Sequence, residues 1–108
     1  MSHYLWQLSY SKDAWATQIQ NPQNRMEQVS AMFAPVGIKL IQGFATLGEY
    51  DLIAIVEAPD DKTVAAASIA IASTGSVSQL KTTPLTPIED LVEALKIAKT
   101  LTYTPPSA

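Results

Sequence analysis

The stretch of the sequence with the most chemical potential is LGEYDLIAIVEAPDD, in which a glycine, two acids and a tyrosine stand before an unbroken apolar run. Tyr50 as a proton donor and Asp51 as a general base would suit a site at the mouth of a pocket. The same residues are also common in tight turns, where Gly48 adopts a positive φ angle and Asp51 accepts hydrogen bonds from turn amides. The pattern therefore leaves two interpretations open, a structural turn and a candidate catalytic pair.

A second group of candidates consists of aromatic side chains near the N-terminus. Tyr4, Trp6 and Tyr10 are spaced so that a β-strand would place all three on one face. Aromatic residues at this spacing commonly belong to a core or an interface. The alternative is a hydrophobic ligand cavity between a sheet and its helices, which makes Tyr4 and Trp6 ligand-binding candidates.

Arg25 stands near the start of a predicted helix, where the positive end of the helix dipole disfavours a cation. We expect its guanidinium to reach an acid such as Glu49 or Asp51, or to bind an anion. A surface ion pair is the simpler interpretation, whereas anion binding adds Arg25 to the ligand-binding candidates, which also include Tyr50 and Asp51. The single histidine, His3, belongs to a residue type that often acts as a general base, but it lies too close to the terminus to be held firmly.

Three carboxylates, those of Glu57, Asp60 and Asp61, invite interpretation as a metal site. Asp60 and Asp61 follow Pro59 at the predicted start of a helix, where carboxylates cap backbone amides and meet the helix dipole. No other ligand motif accompanies them, so no metal site is predicted. The patterns GxxxxGK[ST], GxGxxG and GxSxG are also absent, and no cofactor is expected.

Length and composition limit the class of protein. The 108 residues suit one domain, predicted at residues 1–99 and followed by a loose tail at residues 100–108, and the absence of cysteine excludes disulfides and thiolate chemistry. No signal peptide or membrane-spanning run is predicted, which favours the cytoplasm. Seven basic and ten acidic residues give a formal charge of −3 without a basic cluster, so nucleic acid is not an expected partner.

Hydrophobic periodicity and breaking residues divide the chain into four strands and three main helices. The predicted strands are Tyr4 to Tyr10, Ile38 to Thr46, Asp51 to Ala58 and Ser76 to Leu85. The predicted helices run from Pro22 to Ala34, from Asp60 to a stop at Gly75, and onwards from a capping box at Thr86 to Glu89, with a further helical turn or two within Ser11 to Gln20.

This order of elements predicts a ferredoxin-like βαββαβ sandwich, with a four-stranded antiparallel sheet, two helices on one face and an extra C-terminal helix. In the third strand Leu52, Ala54 and Val56 point one way while Ile53 and Ile55 point the other, so both faces of the sheet are apolar. Because two helices cover one face, the other face needs a partner surface. We expect a homodimer through the sheet faces of two copies, with higher homo-oligomers as a further option.

The chain also resembles the GYD domain family, whose Gly/Tyr/Asp signature is similar to Gly48-Glu49-Tyr50-Asp51. The likeness includes Asn21-Pro22, the block TLGEYDLIAIVEAPDD and the segment ASTGSVSQLKTTPLT, and so covers most of the sequence. The resemblance implies a ferredoxin-like fold of the dimeric α/β-barrel type. It implies no activity, because the family is chiefly one of unknown function, although similar barrels include cofactor-free monooxygenases and lactone isomerases.

These observations lead to two functional hypotheses and leave open whether the protein is an enzyme. The first is a small cytoplasmic homo-oligomer that binds a small, largely apolar molecule or serves as an assembly module. The alternative is a cofactor-independent enzyme, similar to a monooxygenase or an isomerase, that acts on a small carbonyl or phenolic substrate, with Tyr50, Asp51, Tyr4 and Trp6 around its pocket. Single-stranded RNA binding, which some βαββαβ domains perform, lacks the required basic and aromatic motif.

Overall fold

The computed structural model describes residues 1–107 and shows an α+β fold built on one four-stranded antiparallel sheet. The strands are β1 (Ser2–Tyr10), β2 (Lys39–Ala45), β3 (Leu52–Ala58) and β4 (Val77–Leu85), and the helices are α1 (Lys12–Gln20), α2 (Arg25–Phe33), α3 (Asp61–Ser73) and α4 (Ile88–Lys99). The strand order β2-β3-β1-β4 is that of a ferredoxin-like sandwich. The predicted fold class is confirmed at this level, and the dimeric barrel stays a prediction.

The core lies between one face of the sheet and the helices. Tyr4, Trp6 and Leu8 of β1 are buried in alternation with partly exposed residues, as the two-residue period of a strand requires. Against them pack Val64 and Ala67, the two buried residues of α3. The face of β1 on which the sequence places Tyr4, Trp6 and Tyr10 is therefore its core face.

The hairpin between β2 and β3 has the short antiparallel connection that the sequence predicts. Thr46 N donates to Asp51 O over 2.9 Å, and the Thr46 hydroxyl donates to Tyr50 O over 2.6 Å. Gly48 sits at φ +146°, a backbone conformation that side chains oppose. A further bond from Asp51 N to Leu8 O, at 2.8 Å, ties this turn to β1.

The predicted start of the second helix at Pro22 is wrong by three residues. Helix α2 begins at Arg25, and the side chain of Asn24 accepts from Glu27 N at 3.3 Å as its cap. The reason is that α1 is a full helix capped by Ser11, and the residues that follow it form the connection to α2. The side chain of Gln18 accepts from Gln23 N over 3.1 Å within that connection.

Helix α3 begins and ends as predicted. Asp60 caps it by accepting from Thr63 N at 2.8 Å, and this bonding to Thr63 lowers the pKa of the Asp60 carboxyl. Gly75 ends it with a φ of +74° in the left-handed region. The outer side of α3, which includes Ala65, Ala66 and Ile69, is exposed in the single chain.

Helix α4 is present as predicted, but its predicted capping box is wrong. The N-cap residue is Pro87, which has no side-chain cap, and neither Thr86 nor Glu89 makes the reciprocal bonds of a box. The Pro87 carbonyl oxygen instead accepts from Asp90 N at 3.0 Å and from Leu91 N at 3.1 Å. Backbone bonding alone therefore starts this helix.

No residue of α4 is buried, and its apolar stripe of Ile88, Leu91, Val92 and Leu95 faces solvent in the single chain. The radius of gyration is 17.7 Å, compared with about 13 Å for a compact domain of this length. Residues 101–107 form no helix or strand, and Ala108, the end of the predicted tail, lies outside the described residues. Within residues 1–107, no helix has both the length and the apolar character needed to cross a membrane.

Candidate functional site

A cavity of about 210 Å³ lies between the core face of the sheet and helix α2. Its walls are mainly apolar and include Trp6 of β1, Met26, Val29 and Phe33 of α2, and Ile71 of α3. An engineered cavity of about 150 Å³ lined by similar side chains holds a benzene molecule, so a space of this size suits a small ring or a short alkyl chain.

Trp6, which lines this cavity, carries a buried polar group. The side chain is 2% exposed and packs edge-on against Phe33, with 6.2 Å between ring centroids. The indole Nε1–H has no acceptor among the described residues. Because buried N–H groups are nearly always paired, this donor is an exception that requires an explanation.

Tyr10 and Arg25 also carry donors at the cavity, as do the hydroxyl-bearing residues Thr74 and Ser76. Burial raises the pKa of the Tyr10 phenol, the nearby Arg25 charge opposes this rise, and the Asp51 carboxylate adds to it. The phenol is therefore protonated at neutral pH and is able to donate a hydrogen bond. The Tyr10 ring is half-buried and packs edge-on against Trp15, with 5.1 Å between centroids.

Arg25 makes no ion pair with a carboxylate within residues 1–107, so the predicted contact with Glu49 or Asp51 is not formed. One guanidinium nitrogen, Nη1, donates to the neutral side-chain oxygen of Gln28. Arg25 is also the one charged residue among the described residues that line the cavity. Its remaining donors are thus free of a fixed counter-charge, which is the condition for anion binding that the sequence left open.

Tyr50 and Asp51 do not join this cavity lining. The Asp51 side-chain oxygen Oδ2 accepts from Tyr10 N at 3.0 Å, next to the irregularity between Ser9 and Tyr10 in the pairing of β1 with β4. The backbone oxygen of Tyr50 accepts from the Thr46 hydroxyl within the turn. The Asp51 side chain is thus the hydrogen-bond partner of a strand amide beside the cavity.

The ligand-binding candidates therefore fall into separate places. Trp6 and Arg25 line the cavity, whereas Tyr4 is buried at the other end of β1, where its hydroxyl donates to the side-chain oxygen Oδ1 of Asp61. That hydrogen bond is the main cause of a raised pKa for the Tyr4 phenol. The three carboxylates considered as metal ligands bind different partners: Asp60 caps α3, Asp61 accepts from Tyr4, and Glu57 pairs with His3 at 3.1 Å.

A close approach of α2 to β2 narrows the same region. A Cβ atom added to Gly43 would lie 2.5 Å from Cε and 2.9 Å from Sδ of Met26, a residue that lines the cavity. Gly43 is therefore needed for this packing distance, because any larger residue would force the methionine side chain to move. The glycine helps to set the width of the cavity without lining it.

The opposite face of the sheet carries an apolar patch. Leu5 faces Ile55 across β1 and β3, and Phe44 faces Ile53 across β2 and β3. In the single chain Phe44 is 56% and Ile55 is 36% exposed. The ion pair of His3 and Glu57 lies on this face beside the patch, so the surface has an apolar centre and a polar edge.

Sequence reasoning offered Tyr10, together with Tyr4 and Trp6, for a cavity between sheet and helices but left it out of the ligand-binding candidates, and it did not place Met26, Val29 or Phe33 there. Tyr10 shares the β1 face of Trp6, so the two-residue period carried a usable signal for it. The α2 residues carried a helical periodicity, which indicates a buried face but not a gap beneath it. The cavity depends on how far α2 stands from the sheet, which no local pattern encodes.

Solved structures define the class of this protein as an α+β domain of the ferredoxin-like type. The crystal structure of an FFRP protein superposes with a TM-score of 0.57 and 20% sequence identity, covering 80% of this chain and 100% of that chain. The crystal structure of TTHA0845 from Thermus thermophilus gives a TM-score of 0.53 and 16% identity, covering 81% of this chain and 95% of that chain. These likenesses concern the fold.

The chain belongs to the GYD domain family, because the family model matches residues 4–95. A curated relative from Thermus thermophilus is 36% identical over 84 residues, which are 78% of this chain and 87% of the relative. That relative is named a glutamine synthetase and cystathionine beta-lyase binding protein. The resemblance predicted from the Gly/Tyr/Asp signature is confirmed.

Proposed function

We propose that this protein is a homodimeric binding module that attaches to other proteins. The observation that carries the proposal is the apolar patch of Leu5, Phe44, Ile53 and Ile55 on the sheet face opposite the helices. Burying such a patch contributes a favourable free energy of about 25 cal/mol for each Å² of apolar surface removed from water. Leaving the patch in solvent favours non-specific association. A second copy related by a twofold axis presents the same patch and the same polar edge, so it is a self-complementary partner.

Light scattering coupled to size-exclusion chromatography tests the dimer. The wild-type protein is expected to elute with twice the mass of the chain at micromolar concentration. Ile55→Lys should shift it to a monomer, because each dimer would bury two charges in the apolar patch. Ile69→Lys, on the exposed outer side of α3, is the matched control and should leave the dimer intact.

A monomeric wild-type protein would contradict the dimer, as would an Ile55→Lys variant that keeps the dimer mass. Loss of the dimer in Ile69→Lys alone would instead assign the interface to α3, and would also contradict the sheet-face proposal.

The relative's name supports enzymes as the protein partners. In addition to the sheet patch, the chain exposes a second apolar surface, the stripe of Ile88, Leu91, Val92 and Leu95 on α4. This stripe belongs to α4 and shares no residue with the sheet patch. We assign the sheet face to self-association and the α4 stripe to an enzyme partner, with glutamine synthetase as the first enzyme to test.

The test is co-elution of the purified protein with purified glutamine synthetase from the same organism. A complex that persists in moderate salt supports an apolar docking surface, because ionic contacts weaken as salt screens them. Separate elution at concentrations tenfold above those of each protein in the cell would contradict this part of the proposal.

The cavity supports a second function, binding of a small apolar ligand, for which its size and mainly apolar walls argue. The alternative of a cofactor-independent enzyme has less support, because Tyr50 and Asp51 do not line this cavity and the Asp51 carboxylate is bonded to Tyr10 N. A cytoplasmic location stays a prediction from the sequence.

A further inference from the structure

The charge and the hydrogen-bonding groups of the cavity specify a class of ligand. Trp6, Tyr10 and Arg25 all present donors, and none of the described lining residues is an aspartate, a glutamate or a histidine. An apolar molecule without an acceptor would leave the indole N–H unpaired and the guanidinium partly desolvated, which costs free energy in both cases. The cavity is therefore complementary to a molecule with an apolar body and an anionic acceptor.

We propose that the cavity binds a small apolar carboxylate, with Arg25 pairing with the carboxylate and the Trp6 indole N–H donating to an oxygen of the ligand. This inference rests on the second proposed function, ligand binding in the same cavity. Arg25 suits the role because a guanidinium donates two parallel hydrogen bonds to a carboxylate, and it has no carboxylate partner within residues 1–107. Tyr10 adds a protonated phenol on the same side of β1 as Trp6.

One acidic group near the cavity opposes an anion. The Asp51 carboxylate acts on the Tyr10 phenol, and its charge would repel a ligand carboxylate. Asp51 is, however, outside the cavity lining, and its Oδ2 accepts the Tyr10 backbone N–H at 3.0 Å. Arg25 lines the cavity and Asp51 does not, so the attraction of Arg25 for a ligand carboxylate is expected to be the stronger effect.

The experiment compares three molecules of the same shape by isothermal titration calorimetry: 3-phenylpropanoate, 3-phenylpropanamide and propylbenzene. The acid is expected to bind about tenfold more tightly than the amide, because hydrogen bonds to a charged group are worth about 1–2 kcal/mol more than neutral ones. Propylbenzene is expected to bind most weakly, since it offers no acceptor to the Trp6 indole N–H or to the remaining donors of Arg25.

Variants assign the effect to Arg25. Arg25→Met keeps a long apolar side chain and should abolish the preference for the acid over the amide, whereas Arg25→Lys should keep part of it. Lys99→Met removes one positive charge from α4, outside the cavity lining, and is the matched control that should behave as wild type. An equal loss in Lys99→Met would show that net charge and not the cavity carries the preference, which would overturn the proposal.

The indole N–H provides a readout that a purely structural Trp6 would not change. In ¹H–¹⁵N spectra the Trp6 indole proton, assigned with Trp15→Phe, should move downfield with the acid and stay in place with propylbenzene. Equal binding of all three molecules would overturn the carboxylate inference while ligand binding in the cavity stands. Binding of none of them at millimolar concentration would overturn both.

Discussion

Asp51 shows how one residue of a catalytic type is used for structure. Its Oδ2 accepts a hydrogen bond from Tyr10 N, and its backbone N–H donates to Leu8 O. These two bonds attach the turn between β2 and β3 to β1. Both contacts stabilise the edge of the cavity that Tyr10 lines. The tyrosine that precedes it contributes its backbone carbonyl to the same turn.

We predict that Asp51→Ala lowers the free energy of unfolding by about 1–3 kcal/mol, because the partly buried Tyr10 amide loses its acceptor. Asp51→Asn keeps an oxygen at that position and should cost about 1 kcal/mol or less. Urea unfolding followed by circular dichroism measures both. Equal stabilities of Asp51→Ala and wild type would show that Tyr10 N does not depend on this side chain.

The sequence indicated two of the residues that line the cavity, Trp6 and Arg25, but it did not predict how the candidate residues are arranged in space. Trp6 was singled out as an aromatic on a strand face, for which a core or interface position was the first interpretation, and Arg25 as a cation at a helix start, for which a surface ion pair was the simpler one. Tyr50 and Asp51 were singled out on type as well, but residues of turns and of active sites are the same, and only the hydrogen bond to Tyr10 N distinguishes them. A missing acceptor for an indole N–H is a three-dimensional fact that no spacing records.

Among the elements, the contact of α2 with β2 depends on Gly43. Gly43→Ala is expected to change the free energy of unfolding by less than about 1 kcal/mol, because the atoms it meets are the flexible end of Met26. In a Met26→Ala background the same substitution should stabilise the protein by about 0.4–1 kcal/mol, since alanine reduces the entropy of the unfolded chain and the contact is gone.

A double-mutant cycle of these four proteins measures the coupling between the two positions. A coupling energy of zero would mean that an alanine side chain at position 43 does not contact Met26. In the Gly43→Ala single variant, displacement of Met26 should also weaken binding of 3-phenylpropanoate, whereas an Ala65→Ser change on the exposed side of α3 should not.

The elements themselves were largely predictable, because each strand and helix carries its own period and its own stop. Where the boundaries were wrong, tertiary context decided the outcome. The Asn21-Pro22 pair has the composition of a helix start, yet a well-formed α1 before it requires a connection, and Asn24 caps α2 instead. Likewise, Thr86 and Glu89 match the sequence pattern of a capping box, but the hydrogen bonds of a capping box do not form at this helix start.

In the whole molecule, two apolar surfaces are exposed and each has a different predicted partner. The chain extends 58 Å along its longest axis, and the α4 stripe contains no buried residue. The acidic residues in the first turn of α4 and the lysines in its last complement the helix dipole, and none of its residues is buried. It is therefore available for docking.

We predict that the double change Leu91→Glu and Leu95→Glu alters the free energy of unfolding by less than about 0.5 kcal/mol, because neither side chain is buried in the chain. The same variant should lose co-elution with glutamine synthetase. Glu93→Ala with Lys96→Ala, which removes an exposed ion pair of the same helix, is the control and should keep it. An unaffected complex in the leucine variant would exclude the α4 stripe as the docking surface.

Strand β1 has a consequence for how this family is able to vary. Its even-numbered residues from Tyr4 to Tyr10 serve the interior and the cavity, and its odd-numbered residues from His3 to Ser9 serve the outer surface of the sheet. A scan of all substitutions along these positions should thus alternate between two kinds of damage, lost small-molecule affinity and lost self-association, with a period of two residues. Adjacent residues of β1 would then be selected for different properties, one for small-molecule affinity and the next for self-association. Exchanging two adjacent side chains would reduce both.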